Sequence, residues 1–200
     1  MALESARGLA LAALEHWRHG HRFADAILQD LLNRSNLSGS DRSFATELFY
    51  GVLRNLTLLD FWIARLRSAS LDDRSRNLLR LGLYQLFVLR TPGHAAVFET
   101  VELAPKKSRS LINAILRNAV RRADELQSAA DSAELAIQTS HPAFVVERWT
   151  KAFGPEATAA LCKWDNQPAP IYARINQIKI PVERFVAADA TRELLPGRSN

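Results

Sequence analysis

Apolar residues recur three and four positions apart through residues 6–123, which is the spacing of amphipathic helices. In the first stripe Leu9 and Trp17 share one face, and Gly20 marks the end of that helix. Residues 78–89 are apolar nearly all round, so this segment is expected at the centre of a helical bundle. The pattern predicts seven helices, over about residues 6–19, 23–32, 42–53, 58–66, 73–89, 95–104 and 111–123.

Short polar turns separate these predicted helices. Residues 38–41 form a turn with a good N-cap before the third helix, and Asp72 and Asp73 stand at the start of the fifth, where acids offset the positive end of the helix dipole. Residues 91–94 form another turn, and residues 105–110 are interpreted as a basic loop before the seventh helix. Short connections between amphipathic helices indicate neighbours packed antiparallel or at steep angles around one core.

The pattern changes after about residue 123. Residues 124–131 are polar and rich in alanine without a clear apolar period, which is typical of a linker. Two short helices are predicted between residues 142 and 165, and Gly154-Pro155 separates them. The mixture of β-branched, aromatic and polar residues at 171–175 is compatible with a short strand.

The predicted fold class is therefore all-α, with a helical domain over residues 1–127, a linker over 128–139 and a small, mainly helical segment over 140–200. Of the 200 residues, 48% are hydrophobic and 24% charged, which is ordinary for a globular protein. No run approaches the about 20 apolar residues of a membrane-spanning helix. No signal peptide is visible, and the single cysteine, Cys162, excludes an internal disulfide. A cytoplasmic protein is expected.

Charge is distributed unevenly along the chain. Residues 1–127 contain 18 Lys and Arg against 13 Asp and Glu, whereas residues 128–200 contain eight of each. The first part therefore carries the whole net charge of +5, which suggests a polyanionic partner. Basic residues are concentrated in one acid-free stretch, and they are Lys106, Lys107, Arg109, Arg117, Arg121 and Arg122.

This basic stretch allows two interpretations. In the first, its side chains and the N-terminus of the following helix together hold phosphate groups, because free N–H groups and the helix dipole favour an anion there. In the second, it is a solvated loop and helix face. Other arginines would extend a positive surface if the bundle brings them together, namely Arg7, Arg18, Arg22 and Arg54.

Other chemistry-bearing residues favour structural roles. His16, His19 and His21 lie close in sequence, but no carboxylate or thiolate is fixed near them, so a solvated helix end is preferred to a metal site. Glu99 and Glu102 share a predicted helix face, which we interpret as solvated rather than catalytic. No Gly-rich phosphate loop and no G-x-S-x-G, CxxC or H-E-x-x-H motif occurs. The sequence therefore offers no catalytic residue.

Four stretches of the chain follow one another in a specific order and spacing. They are RSFATELFYGVLR at residues 42–54, LGLYQL at 81–86, HAAVFETVEL at 94–103 and LINAILR at 111–117. In these stretches the chain resembles the N-terminal domain of the ribosomal RNA small-subunit methyltransferase B family. That domain is similar to the antitermination factor NusB, an all-helical RNA-binding fold.

The resemblance continues beyond the point near the seventh helix at which free-standing NusB ends. The later matching stretches are SHP at residues 140–142, ERW at 147–149, FG at 153–154, NQPAP at 166–170 and RIN at 174–176. The resemblance therefore favours the methyltransferase family over NusB itself, and residues 140–200 are expected to be the start of its next, incomplete subdomain.

The resemblance implies methyl transfer from S-adenosylmethionine to carbon 5 of a cytosine in small-subunit ribosomal RNA. In the family, the nucleophilic cysteine and the cofactor domain follow residues like Arg174-Ile-Asn176. This chain is therefore expected to supply RNA recognition without a catalytic residue, a metal or a cofactor of its own. Together with the basic stretch, the resemblance predicts these RNA-binding residues: Arg7, Lys106, Lys107, Arg109, Asn113, Arg117 and Arg121.

Two other functions remain open at this point. A protein-interaction module is the first, because NusB also binds a small-subunit ribosomal protein, and the complete enzyme is the second. RNA affinity falls as salt rises, and the log-log salt slope is the slope of log affinity against log salt concentration. If all six basic residues of the stretch met phosphates, this slope would approach about −4.

Overall fold

The computed structural model of the chain describes residues 4–19, 22–167, 176, 178 and 179. These residues form helices and turns, and no β-strand occurs among them, so the all-α prediction is confirmed. The residues 171–175, compatible with a strand, lie outside the described part. The helices are α1 (Ala6–His19), α2 (Ala24–Asn33), α3 (Gly39–Arg54), α4 (Leu56–Leu66), α5 (Asp73–Leu83), α6 (Gly93–Glu102), α7 (Lys106–Arg121), α8 (Ala123–Asp131), α9 (Leu135–Gln138), α10 (Ala143–Phe153) and α11 (Pro155–Asp165).

The third and fifth helices start with a side-chain cap, within the predicted 38–41 turn and at the predicted acidic start. The Ser38 hydroxyl accepts a hydrogen bond from the backbone N–H of Asp41 at 3.2 Å, at the start of α3. The Asp72 carboxylate accepts two hydrogen bonds from Ser75 at the start of α5, one from its hydroxyl at 2.7 Å and one from its backbone N–H at 2.9 Å. These bonds, the one from the hydroxyl first, lower the pKa of Asp72 below its usual value.

Helix α5 lies at the centre of the bundle, as its apolar sequence predicts. Leu78, Leu81 and Leu83 are completely buried, because the helix packs against α1, α4, α6 and α7. Gly82 allows α7 to approach closely, since a Cβ at this position would lie only 2.7 Å from a methyl carbon of Leu116. The core of the bundle is therefore built around residues 77–83 of α5, all of which are buried.

The end of the predicted fifth helix departs from regular α-helix. Tyr84–Val88 is π-helical, and the N–H of Leu89 donates to the carbonyl of Tyr84 at 3.0 Å. Gln85 is buried in this segment, and its amide nitrogen donates to the hydroxyl of Thr100 in α6 at 3.3 Å. The π-helical segment thus links the central helix to α6.

Helix α7 begins earlier than predicted. Residues 105–110 are predicted as a basic loop, whereas the helix starts at Lys106, directly after Pro105. The N–H groups of Ser108 and Arg109 already donate to the Pro105 carbonyl, at 2.9 and 3.1 Å. The loop prediction is wrong. It is based on the lack of an apolar period in this run, but Lys and Arg favour helix, and the buried Ser108 faces the core.

The interpretation of residues 124–131 as a linker is also wrong, because these residues belong to α8. Leu126 is completely buried and Ala130 nearly so, four positions apart, which is enough apolar surface to hold a helix of nine residues on the bundle. The indole N–H of Trp62 in α4 donates to the carbonyl of Leu126 at 3.0 Å. The division of the chain into domains at residues 127 and 139 stays a prediction.

Helices α10 and α11 form a pair that the predicted break at Gly154, with φ of +84°, separates. His141 holds both ends of this pair: its Nδ1 lies 2.8 Å from the Thr139 carbonyl, and its Nε2 lies 3.1 Å from the Asp165 carboxylate. The Ser140 hydroxyl accepts a hydrogen bond from the N–H of Leu58 at 2.9 Å, in the first turn of α4.

The helices all belong to one compact unit, Met1–Asn166. In the second unit, Gln167–Asn200, the described residues include a turn in which the N–H of Lys179 donates to the carbonyl of Asn176 at 2.9 Å. Among the residues that the structure describes, no helix combines the length and the apolar character needed to span a membrane.

Candidate nucleic-acid interface

Helix α7 presents one face to solvent and the opposite face to the core. Ile112, Leu116 and Ala119 are among its buried residues. The positions 106, 110, 113, 117 and 121 are three or four apart, so they fall on one side of the helix, and four of them hold residues that the sequence predicts to bind RNA. We call these four the α7 stripe, and they are Lys106, Asn113, Arg117 and Arg121.

No acidic side chain neutralises the α7 stripe within the described residues. The Arg117 Nε donates to the Asn113 amide oxygen at 3.0 Å, and Arg121 reaches the Asn118 amide oxygen at 3.5 Å. Lys106 is exposed, as are Arg117 and Arg121. Because amide partners carry no charge, the stripe keeps three full positive charges in contact with solvent.

The other two predicted cations of α7 lie at the edges of this face and have acidic neighbours. Arg109 forms an ion pair with Glu102 at 3.4 Å and also donates to its backbone carbonyl at 3.2 Å. Lys107 lies near the start of α5, where its charge helps to lower the pKa of Asp72 after the larger effect of the hydrogen bonds from Ser75. Both cations remain near the stripe, but a phosphate would compete with a carboxylate for each of them.

Arg7 does not lie on the α7 stripe and is held at a junction of the bundle. Its Nε donates to the side-chain oxygen of Gln85 at 2.6 Å, and its guanidinium lies 3.7 Å from Glu99 and 5.1 Å from the ring centre of Phe44. The side chain is only 22% exposed. The partners of Arg7 therefore come from α3, α6 and the π-helical segment, and this arrangement favours a structural role.

Two of the arginines considered as extensions of the positive surface, and Arg122 of the basic stretch, pair with acids. Arg54 pairs with Glu47 at 3.5 Å, and Arg22 lies 3.6 Å from Asp30 on α2. Arg122 forms a two-pronged ion pair with Glu125, at 2.8 and 2.6 Å. The side chain of Arg18 lies outside the described residues. The candidate surface is therefore narrower than the sequence predicts and centres on the α7 stripe.

The remaining candidates have structural explanations. Glu99 and Glu102, predicted to be a solvated face, are partly exposed but each pairs with an arginine, Arg7 and Arg109. His16 lies 2.7 Å from the carbonyl of Ala12 through its Nδ1, while the side chains of its two neighbouring histidines lie outside the described part. No cluster of three or more His, Cys, Asp or Glu side chains suited to a metal ion occurs among the described residues.

One exposed residue of α6, the helix that packs against α7, has no counterpart in the predictions. Phe98 of α6 is 64% exposed although it is a large apolar side chain. The helical period could have shown that Phe98 is exposed, because Ala96, Val97 and Thr100 mark the buried face of α6 and Phe98 falls outside it. An exposed phenylalanine in an amphipathic helix is an ordinary feature by itself, so its location decides its meaning.

Comparison with known proteins explains the arrangement of the chain. Residues 4–121 match the model of the NusB family, and residues 141–189 match the model described as "Methyltr_RsmF/B-like, ferredoxin-like domain". The chain belongs to the NusB family. With the second matched region it is RsmB-like, which confirms the resemblance drawn from the sequence motifs.

The similar curated proteins are named as methyltransferases of the B type, in agreement with the RsmB-like arrangement of the two matched regions. The chain is 31% identical over 188 residues to the probable ribosomal RNA small subunit methyltransferase B of Bacillus subtilis, with 90% of the chain and 42% of the relative covered. It is 32% identical to the ribosomal RNA small subunit methyltransferase B of Escherichia coli strain SMS-3-5, with 90% and 43% covered. The chain thus spans about two fifths of the length of these relatives.

Proposed function

We propose that this chain binds small-subunit ribosomal RNA through the α7 stripe and thereby serves RNA recognition in a methyltransferase of the RsmB type. The observation that carries the proposal is that three cations and one amide share a single exposed face of α7 without a carboxylate partner in the described residues. The names of the similar proteins support the choice of small-subunit ribosomal RNA. Use of S-adenosylmethionine and a cytoplasmic location belong to the same proposal.

The stripe recognises the sugar-phosphate backbone by charge. Each phosphate neutralised by Lys or Arg contributes about −0.7 to the log-log salt slope for single-stranded nucleic acid. The three unpaired cations Lys106, Arg117 and Arg121 therefore predict a slope of about −2. The steeper slope of about −4 would require Lys107, Arg109 and Arg122 as well, and those side chains lie near or pair with acids. Arg7 is left out of this interface because its guanidinium is already held by three partners.

Charge reversal at Arg117 tests this proposal. The chain and its Arg117→Glu variant are titrated onto a fluorescent single-stranded fragment of small-subunit ribosomal RNA, and the affinity is measured between about 50 and 200 mM salt. We expect about a tenfold loss of affinity and a slope shallower by about 0.7, because one phosphate contact disappears.

The matched control is Arg34→Glu. Arg34 is an exposed arginine at the end of α2, a helix that packs against α1 and α3, and it pairs with Asp30 at 3.1 Å. The two variants have the same net charge, so a general electrostatic effect would weaken binding equally in both. If Arg117→Glu binds RNA no less tightly than Arg34→Glu, the α7 stripe is not the RNA interface. Circular dichroism checks that both variants are folded.

A further inference from the structure

Phe98 stands on α6 as an aromatic side chain without a partner. Its ring makes no ring-ring or cation-π contact in the described structure, although Phe61 and Phe44 each lie under an arginine. The core lies on the other side of α6, at Ala96 and Thr100, which are fully buried. The ring of Phe98 is therefore free to receive a planar group from solvent.

Helices α6 and α7 pack against each other and run antiparallel, so the level of Phe98 along α7 can be counted. At one end of the pair a Cβ on Gly93 would lie 3.5 Å from the methyl groups of Val120, and at the other end Glu102 pairs with Arg109. Counting inward from both ends at the same rise per residue puts Phe98 level with the part of α7 between Asn113 and Ile115, about one turn or less from Arg117.

The orientation of α6 turns Phe98 away from α1. Glu99 faces α1, since it pairs with Arg7 of that helix. Phe98 lies about 100° from Glu99 around the helix axis and is exposed, so it projects from the outer side of α6 away from α1. The flanking acids do not leave this edge negative, because Glu99 and Glu102 pair with Arg7 and Arg109.

An exposed aromatic ring next to unpaired cations is the combination that single-stranded nucleic acid recognises. The cations hold the phosphates, and a base that is not paired stacks its face on the ring. A duplex keeps its bases stacked inside and offers no free face. We propose that Phe98 is the stacking position for an unpaired nucleobase of the RNA whose phosphates lie along the α7 stripe. This inference rests on the proposed function and specifies its substrate as single-stranded or looped RNA.

The test compares Phe98→Ala and Phe98→Tyr on a single-stranded RNA and on a duplex RNA of the same length. We expect Phe98→Ala to weaken single-strand binding about tenfold, since one base-aromatic stack is lost. Phe98→Tyr should restore it, because tyrosine keeps an aromatic face. Duplex binding should change in neither variant, and the salt slope should stay the same, because the phosphate contacts on α7 remain.

Phe23→Ala is the matched control. Phe23 is 83% exposed and precedes α2, which packs against α1 and α3. Its removal should leave single-strand binding unchanged. If Phe98→Ala binds single strands like Phe23→Ala, or loses duplex binding to the same degree, Phe98 is not a stacking position. Loss of self-association in sedimentation with RNA affinity unchanged would likewise overturn the proposal and identify a contact between copies of the chain.

The two proposals fail in different ways. If Arg117→Glu weakens binding and Phe98→Ala does not, the α7 stripe binds RNA without stacking at Phe98, and only this inference fails. If neither variant weakens binding, the α7 stripe is not the interface and the proposed function fails first.

Discussion

Gly51 lies in α3 at a point where the helix touches the central helical segment through Tyr84. A Cβ added to Gly51 would lie less than 3.0 Å from the Cζ and Oη atoms of Tyr84 and 2.6 Å from Cε1. The ring cannot retreat easily, because it is 2% exposed and its hydroxyl donates to the Glu47 carboxylate. Burial, and then this hydrogen bond, raise the pKa of Tyr84, so the hydroxyl remains a donor at neutral pH.

The magnitude for Gly51→Ala follows from three contributions. Overpacking of a tight core costs about 1–3 kcal/mol, and weakening the hydrogen bond between Tyr84 and Glu47 costs about 1 kcal/mol more. Alanine in place of glycine inside a helix returns about 1 kcal/mol. We therefore expect the free energy of unfolding to fall by about 2 kcal/mol, which corresponds to a Tm lower by about 4–8 °C for a chain of this length.

Urea unfolding followed by circular dichroism measures this change, and two further variants isolate its cause. Gly39→Ala is the control, because a Cβ on Gly39 would meet no atom within 4 Å, and it should be neutral or slightly stabilising. In a Tyr84→Leu background the overlap is absent, so Gly51→Ala should cost nothing or stabilise by up to about 1 kcal/mol. A penalty of the same size in that background, or none in the native one, would refute the steric argument.

Two further predictions concern hydrogen bonds at helix starts. Asp72→Asn should lower stability by about 0.3–1 kcal/mol at pH 7, because asparagine still caps the helix but lacks the negative charge that the helix N-terminus favours. Since the folded pKa of Asp72 lies below its ordinary value of 3.8, this stability is present above that value and disappears as the pH falls through the folded pKa, so urea unfolding at pH 7 and pH 3 should show a shrinking difference. Ser140→Ala should cost about 1–2 kcal/mol, because it leaves the N–H of Leu58 without its acceptor. Hydrogen exchange at Leu58 should then become faster, and an unchanged rate would contradict this role of Ser140.

The parts of the fold that depend on local sequence were predictable. Ser38 and Asp72 cap helices because the acceptor and the first free N–H groups are three residues apart, and the apolar run around Leu81 could be stable only in the interior. The start of α7 at Lys106 was not predictable from periodicity, since its first residues are mostly polar and the tertiary packing of Ser108 decides their conformation.

The candidate site was predictable only in part. The acid-free run located α7 as the basic element. The run did not show which of its cations would be paired with acidic side chains from elsewhere in the chain. Arg7 meets Gln85 across 78 positions of the chain, and such a pairing depends on how the helices fold together. Phe98 was missed for the same reason, because its sequence position does not show that α7 lies beside it.

The helices between the two matched family regions limit the insertions that the chain can accept at this point. Residues 122–140 separate those regions, yet they are held by the bond from Trp62 to Leu126 and by the bond from Leu58 to Ser140. A tether would tolerate insertions of any length here. A connection fixed at both points tolerates few, because an inserted residue would have to be accommodated without displacing either bond.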